Sequence, residues 1–317
     1  MDQGFNFSPD LPVLVIGGAG VDIVGRVKSE LNMETSNPAH IRYSFGGVAR
    51  NVAENLARLG QPVNLITAVG EDDTGERLLE TLMEAGVNVQ AILRSSEEDT
   101  GTYLAVINQS GALQLALYDM RIVSALTPEY IHRQTSLFEE ASLLFLDTNL
   151  PKDVLRTVMS LARRHHLPVC ADPTSASLAN RLQPYLSRLF ICTPNSSEAS
   201  VLCEAAVKVS NRRQALAAAQ YLVGKGVQIA IITLAEHGLC YATSETNGHI
   251  PAIRSEVVDP TGAGDSFSAA LIFALLNDIP IDEAMRLGLS AASLTLGYRG
   301  AVVPDLSLEK LYDHLVG

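Results

Sequence analysis

Residues 259–276 read DPTGAGDSFSAALIFALL, and this stretch decides how the rest of the chain packs. Between Ser266 and Leu276 there is no charged residue and no helix breaker, which predicts a helix buried on nearly all sides. Asp265 stands at the amino end of that helix, directly after a Gly-Ala-Gly turn. The stretch therefore predicts a central helix with a carboxylate at its mouth.

The glycines of this turn let the backbone bend sharply and approach a ligand closely. The amides of Gly262, Ala263 and Gly264 would then converge at the positive end of the helix, where an anion such as phosphate binds favourably. In that setting Asp265 would take the proton from a hydroxyl that attacks a phosphoryl group, and the helix end would keep its carboxylate ionised. A simple helix N-cap is an equally common use of aspartate, so this stretch alone leaves both interpretations open.

Short apolar runs rich in Val, Ile and Leu recur along the chain and are typical of strands buried on both faces of a parallel sheet. These runs cover residues 13–16, 63–69, 143–146, 167–170, 189–192 and 229–234. Amphipathic stretches that stop near a glycine alternate with them and predict helices. These stretches cover residues 48–59, 75–85 and a segment capped by Ser210 that ends at Gly224. Strands that alternate with helices predict an α/β sandwich.

Two segments depart from this alternation. Residues 100–119 contain the alternating strands TYLAVI and LQLALY, joined by a favourable Asn-Gln-Ser-Gly hairpin turn. Residues 21–43 also lack helical periodicity. We expect the two segments, at about residues 20–45 and 99–120, to form a small antiparallel sheet that covers the strand ends as a lid. No linker divides the chain, so residues 1–317 are predicted to form a single domain.

Composition argues against several classes of partner. With 23 Lys and Arg against 35 Asp and Glu, the 317-residue chain has a formal charge of −12, which repels nucleic acids and anionic membranes. No apolar run reaches the roughly 18 residues of a membrane span and the N-terminus does not resemble a secretory signal, so we expect a cytoplasmic protein. Cys170, Cys192, Cys203 and Cys240 lack CxxC spacing and are expected to be reduced thiols in the core, with no zinc site.

Polar residues around the first strand and the next helix form a candidate sugar site. Asp22 follows the first strand, where a carboxylate could accept two hydrogen bonds from a diol. Gly46 and Gly47 precede a helix, and Asn51 lies in its first turns, where an amide can both donate and accept. Taken alone, the glycine pair is better explained as a tight turn into a helix.

Two further motifs follow buried strands, whose carboxyl ends face the ligand crevice in α/β proteins. Asn195 and Glu198 stand three apart at a helix start, where the amide would contact phosphate and the carboxylate would hold magnesium through water. A helix-capping pair is at least as good an interpretation. Thr233 ends the next strand and Gly238 allows a turn beyond it, which would place both near a nucleotide.

Taken in order, Asp22, GGxxxN, the hairpin, NxxE, the strand-end threonine and GAGD resemble the ribokinase or PfkB family of carbohydrate and nucleoside kinases. The resemblance covers nearly the whole chain, and DPTGAGDSF is its most specific part. It implies a three-layer α/β/α sandwich with a β lid, and transfer of the γ-phosphoryl group of ATP to a primary sugar hydroxyl. Through SFGGVARNVAENLARLG, TGTYLAVINQSGALQLALYDM and the Asp172-Pro173 pair, the chain is most similar to members that phosphorylate the 5'-hydroxyl of pseudouridine.

The resemblance also implies a role for each candidate residue. Asp265 would be the base, the amides of Gly262, Ala263 and Gly264 the anion hole, and Asp22, Gly46, Gly47 and Asn51 the substrate contacts. Asn195, Thr233 and Gly238 would bind the nucleotide, Glu198 would hold Mg²⁺ through water, and Asp259 and Thr261 would lie near a possible monovalent cation such as K⁺.

The chain departs from the family pattern at two places. Ala235 stands where the family has the first glycine of TLGxxG, and the segment RLGLSAASL lacks the asparagine found by the adenine, so no adenine contact is assigned. A kinase for another nucleoside or a sugar remains an alternative, as does a sensor that binds a sugar or nucleotide without catalysis. The exposed lid edge could also pair with a second copy to form a homodimer.

Overall fold

The computed structural model describes residues 7–204 and 207–316. Strands and helices alternate through most of this length. The strands are β1 (Val13–Ile16), β2 (Gly20–Val27), β3 (Ala39–Gly46), β4 (Val63–Ile66), β5 (Ala68–Gly70), β6 (Leu93–Ser95), β7 (Gly101–Ile107), β8 (Leu113–Asp119), β9 (Leu143–Asp147), β10 (Val169–Asp172), β11 (Ile191–Cys192), β12 (Ile229–Thr233), β13 (Leu239–Ala242) and β14 (Asn247–Ile250). The helices are α1 (Val48–Arg58), α2 (Asp73–Glu84), α3 (Pro128–Arg133), α4 (Thr135–Glu140), α5 (Lys152–Arg164), α6 (Ser196–Leu202), α7 (Arg212–Gly224), α8 (Ala263–Leu276), α9 (Ile281–Leu296) and α10 (Leu308–Val316).

The central sheet has eight strands in the order β14-β13-β12-β11-β10-β9-β1-β4. From β12 to β4 every neighbouring pair is parallel, and β13 and β14 add an antiparallel edge. Because the parallel strands run in one direction, their carboxyl ends meet at one edge of the sheet. Ligands bind at that edge in open α/β sheets.

Side chains of the central strands alternate between two apolar cores. In β1, Val13 and Val15 pack into the core that contains α1, α2, α8 and α9, whereas Leu14 and Ile16 pack into the core that contains α5 and α7. Such continuous apolar strands are required when helices cover both faces of a parallel sheet. The α/β/α sandwich predicted from the sequence is confirmed.

Several element boundaries differ from the prediction. The run at residues 63–69 is not one strand, because β5 leaves the central sheet and pairs with β6. The helix before Gly224 is capped by Asn211 and not by Ser210, since the Asn211 side chain accepts a hydrogen bond from the Gln214 amide. Ser210 instead donates to the Gln214 side chain.

The lid is a separate four-stranded sheet in the order β3-β2-β7-β8. It was expected to be antiparallel, and it is so within the pairs β2–β3 and β7–β8, but β2 and β7 run parallel. These two strands start side by side at Gly20 and Gly101 and extend in the same direction, which makes the lid a mixed sheet. A Cβ at Gly20 would collide with the Gly101 carbonyl, so the close approach requires glycine there.

Helix α8 starts three residues before the predicted Ser266 and is buried over nearly its whole length, as its composition predicts. It packs mainly against α9 and α1, which is how residues far apart in the chain reach its amino end. The four cysteines are buried and free, as expected for core thiols. None of the described helices combines the length and the hydrophobicity that a bilayer-spanning helix needs.

Candidate active site

The carboxyl group of Asp265 lies in the first turn of α8, where 9% of the residue is exposed. Asn51 Nδ2, from α1, donates a hydrogen bond of 2.7 Å to Asp265 Oδ2. This contact joins residues 214 positions apart, because α1 and α8 pack against each other beside the sheet. The N-cap of α8 is Gly262, so the structure rules out the interpretation of Asp265 as a simple cap.

Burial raises the pKa of Asp265 to about 7. The Asn51 hydrogen bond lowers this pKa, while the charges of Asp147 and Asp22 raise it and that of Arg50 lowers it. The expectation that the helix end keeps this carboxylate ionised was wrong, because the loss of water around the group outweighs the favourable helix end. A pKa near neutrality suits a general base, since the group can both accept and release a proton at working pH.

The main-chain turn before Asp265 leaves donors without protein partners. Gly262 has the left-handed φ of 78°, and a Cβ there would collide with the backbone of Ala301. No side chain caps this end of α8, and the first amides of any helix lack partners within the helix. A Cβ at Gly264 would meet open space, so the turn is accessible from outside. These features fit an anion at the positive end of α8.

Asp22 lies on lid strand β2 with its carboxylate against Gly46, where any Cβ would collide with it. Burial raises the pKa of Asp22 to about 6; the charge of Arg50 lowers it and that of Asp259 raises it. At neutral pH this carboxylate is therefore mostly ionised and can accept hydrogen bonds. Its charge also raises the pKa of Asp265, so the two carboxylates lie within electrostatic range of each other.

Gly47 and Asn51 have structural roles that the sequence left undecided. Gly47 is the N-cap of α1 with a φ of 98°, and it lies against the backbone of Gly18. It therefore makes the tight turn into a helix. The side-chain amide nitrogen of Asn51 donates a hydrogen bond to Asp265. Asn51 Oδ1 accepts a hydrogen bond of 2.9 Å from Arg50 Nη1. A direct contact of Asn51 with substrate stays a prediction.

Asn195 and Glu198 form a capping box at the start of α6. Asn195 Oδ1 accepts from the amides of Ser197 and Glu198 at 2.9 and 3.1 Å. In return, the Glu198 carboxylate accepts from the Asn195 amide at 2.9 Å and from its side chain at 2.6 Å. The predicted helix-capping pair is thus present in the structure, and these hydrogen bonds hold both side chains just after β11. Their contacts with nucleotide and magnesium stay predictions.

Thr233 ends β12 beside Asn195, in a parallel bridge between the two residues. After it the chain turns through Gly238, which has a φ of 83° and packs against the backbone of Ile250. Ala235, the departure from the family pattern, also has a left-handed φ, of 50°. Ala235 therefore occupies a backbone conformation that favours glycine.

A cleft of about 790 Å³ opens beside these strand ends. Its lining includes Ser196 and Leu234, the residues that follow Asn195 and Thr233. Basic side chains from two sides also line it, Arg212 and Arg254 among them. The cleft is therefore adjacent to the predicted nucleotide residues, while Asp265 and the glycine turn lie outside its lining.

Two further carboxylates at strand ends were not among the predicted site residues. Asp147, at the end of β9, is fully buried and accepts hydrogen bonds from the amides of Gly18, Ala49 and Asn149 at 2.8, 3.0 and 2.8 Å. Asp172, at the end of β10, has its pKa raised well above the usual range by burial and by the charges of Glu198 and Asp265. An aspartate at the carboxyl end of a buried strand was the available signal for both.

Arg50 also lies within electrostatic range of both carboxylates, although its sequence position predicts no role for it. Its guanidinium is buried and pairs with Glu54 one helical turn away. It lowers the pKa of both Asp22 and Asp265. Arg50 thus supplies positive charge behind the two carboxylates.

The lid contacts the loop before α8 through an ion pair. Arg42 Nη2 of β3 lies 2.7 Å from Asp259 Oδ2, and Asp259 Oδ1 accepts from the Thr261 amide at 3.1 Å. Asp259, which was predicted to lie near a monovalent cation, is therefore paired with Arg42 of the lid. Binding of K⁺ near Asp259 and Thr261 stays a prediction.

The sandwich and its two carboxylates, Asp265 at the mouth of α8 and Asp22 on the lid, fit a phosphotransferase that acts on a hydroxyl group, which is the class that the family match supports. Residues 11–307 match the pfkB family of carbohydrate kinases, and the chain belongs to that family.

Known relatives cover almost the whole chain. Pseudouridine kinase of Escherichia coli (strain K12) is 31% identical over 297 residues, which cover 93% of this chain and 94% of that protein. Guanosine-inosine kinase of Exiguobacterium acetylicum is 30% identical over 299 residues, with coverage of 93% and 97%. The structure of Arabidopsis thaliana ribokinase complexed with ribose and ATP has a TM-score of 0.84 at 22% identity and covers 96% of both chains, which supports the fold.

Proposed function

We propose that this protein transfers the γ-phosphoryl group of ATP to the 5'-hydroxyl of pseudouridine, giving pseudouridine 5'-phosphate. The observation that carries the proposal is the buried Asp265 carboxylate beside the uncapped start of α8. A pure binding protein needs the anion site but gains nothing from an unfavourably buried carboxylate next to it. The whole chain would act as one kinase domain with a lid.

In the proposed reaction, Asp265 accepts the proton of the 5'-hydroxyl as its oxygen attacks the γ-phosphorus. The bond from that phosphorus to the β,γ-bridging oxygen breaks, and ADP leaves. Charge that develops on the transferring group would be stabilised by the amides of Gly262, Ala263 and Gly264. The lid would exclude water from the reacting groups.

The nucleotide would lie between this turn and the cleft near Thr233 and Gly238. Among the described residues, no group of three or more His, Cys, Asp or Glu side chains is placed to hold a metal ion. Magnesium would therefore be held by nucleotide phosphates, water and a single carboxylate, for which Glu198 is the candidate. When bound, Mg²⁺ would neutralise charge on the β- and γ-phosphates. A K⁺ ion near Asp259 would share that carboxylate with Arg42.

A nucleoside acceptor is supported by two relatives. The proteins with 31% and 30% identity are named for pseudouridine and for guanosine and inosine, which are all nucleosides. The ionised Asp22 carboxylate, packed against Gly46, would accept hydrogen bonds from the ribose diol. It would thereby direct the 5'-hydroxyl towards Asp265.

The lid also supports a homodimer. The side chains of Ile41, Tyr43, Leu115 and Leu117 lie on one face of the lid sheet and are exposed. A contiguous apolar face of this kind marks an interaction surface. We propose that it packs against the same face of a second copy, since most soluble oligomers are built from identical subunits related by twofold symmetry.

The decisive experiment combines purified protein and MgATP with pseudouridine, uridine, guanosine, ribose and fructose, and detects products by ³¹P NMR. We expect a 5'-phosphate to form fastest from pseudouridine. Asp265→Asn should lower kcat by roughly 10²- to 10⁴-fold while ATP affinity changes little. Equal rates on fructose and pseudouridine would contradict the nucleoside assignment, and ligand binding without turnover would support a sensor.

A further inference from the structure

The register of the lid sheet determines which side chains share a face. In the ladder, Ser44 pairs with Asp22, Asp22 pairs with Tyr103, and Tyr103 pairs with Tyr118. Directly paired residues point to the same side of a sheet, so these four form one row across the lid. Neighbouring strands lie ~4.8 Å apart, which places the tyrosines roughly 5 and 10 Å from the Asp22 strand position.

Two contacts show that this face is the one towards the active site. Asp22, in the row, is half-buried, and its charge raises the pKa of Asp265. Arg42, two residues from Ser44 on the same face, forms the ion pair with Asp259 in the loop before α8. On this face Tyr103 therefore stands beside the strand position of the proposed sugar carboxylate, and Tyr118 stands one strand further out.

Both rings are available to a ligand. Tyr103 is 37% exposed and Tyr118 is 75% exposed, which is high for large aromatic side chains. In the described part of the chain, neither hydroxyl takes part in a hydrogen bond. On β7 and β8, the next residues on the same face are Ala105 and Ala116. The two tyrosine rings therefore have small side chains beside them on these strands.

We propose that Tyr103 and Tyr118 form an aromatic shelf that stacks on the planar base of the acceptor, and that they select nucleosides over free sugars. This inference rests on the proposed function and extends it to the substrate class. The Asp22 carboxylate would bind the ribose diol, and the base would extend from the sugar along the row towards Tyr118. Stacking tolerates different bases because every base presents a π-face.

The opposite face of the lid provides a matched control. Tyr43 is 72% exposed and belongs to the same sheet, but it pairs with Ile23 and points away from Asp22. A loss that follows from general weakening of the lid, or of the dimer proposed on this face, should appear in Tyr43→Leu as well. A loss that follows from stacking should appear only on the shelf.

The test compares Tyr103→Leu, Tyr118→Leu and Tyr43→Leu by kcat/KM for pseudouridine and for ribose, with KM for MgATP as a third readout. Each shelf variant should lower kcat/KM for the nucleoside by roughly 5- to 150-fold, the range expected for loss of one stacked base. Because ribose lacks a base, kcat/KM for ribose should stay the same in these variants, and KM for MgATP should not change. Tyr103→Phe and Tyr118→Phe should retain nucleoside use, because the ring is kept.

Calorimetric titration with pseudouridine provides a readout that needs no turnover. Nucleoside affinity should fall in both leucine variants and stay unchanged in Tyr43→Leu. If the shelf variants lose nucleoside and ribose use equally, or if they match the unchanged protein, the shelf is overturned while the kinase assignment stands. A protein that phosphorylates ribose and neither binds nor phosphorylates nucleosides would overturn both the shelf and the nucleoside substrate of the proposed function.

Discussion

The hydrogen bond from Asn51 to Asp265 should set the pH at which the enzyme becomes active. In the proposed reaction Asp265 accepts a proton only when it is ionised, so kcat/KM for the acceptor should rise with pH through the Asp265 pKa of about 7. Asn51 stabilises the ionised form with a 2.7 Å hydrogen bond. Asn51→Ala should therefore move the rise to higher pH.

The size of the shift follows from the strength of that bond. A hydrogen bond to a charged group contributes about 1.5–3 kcal/mol, and water admitted by the shorter side chain would recover part of it. With 1.36 kcal/mol for each pKa unit, we expect an upward shift of about 1 unit. The ionised fraction at pH 7 would then fall from about one half to about one tenth, which lowers kcat/KM roughly fivefold.

The assay measures kcat/KM from pH 5.5 to 9.5 for the unchanged protein and for Asn51→Ala, with ¹³C NMR of aspartate carboxyl groups as a direct titration. Asp22→Asn should move the Asp265 pKa in the opposite direction, because the Asp22 charge raises it. Asn88→Ala, which removes a 2.8 Å hydrogen bond to Asn64, is the control and should leave the profile unchanged.

An inflection that stays near pH 7 in Asn51→Ala, or moves below it, would refute the reasoning. Recovery of full activity at high pH would show that Asn51 acts only by stabilising the ionised form of Asp265. A further loss that is independent of pH would show that Asn51 also contacts the substrate.

Two other predictions concern the nucleotide turn and the lid. Ala235 has a φ of 50°, so Ala235→Gly should raise the free energy of unfolding by about 0.5 kcal/mol in urea titrations, whereas Ala217→Gly on the exposed side of α7 should lower it by about 1 kcal/mol. Equal destabilisation by both changes would count against strain at Ala235. Leu117→Lys, at a residue 58% exposed on the apolar lid face, should convert a dimer to a monomer in sedimentation velocity, while Met83→Lys, at a residue 53% exposed on α2, should not. A monomeric unchanged protein would exclude the proposed dimer.

Local patterns in the sequence were sufficient for most of the architecture. The uncharged run after Asp265 predicted a buried helix because its burial follows from composition alone. The hairpin at residues 100–119 was predicted because its turn and its alternating strands are encoded within a few residues. The parallel pairing of β2 and β7 was not predicted, since the pairing of strands so far apart in sequence depends on where the tertiary structure places each of them.

The amino-acid sequence specifies the chemistry available at each position: a carboxylate after a glycine turn, an amide in a first helical turn, aromatic rings on a hairpin. Which of these groups meet depends on how the helices and strands pack. Packing of α1 on α8 brings Asn51 to Asp265, and burial there raises the pKa of Asp265 towards neutrality, opposite to the effect expected from the helix end alone. Desolvation depends on every element that surrounds a group, so no local stretch of sequence could have specified it.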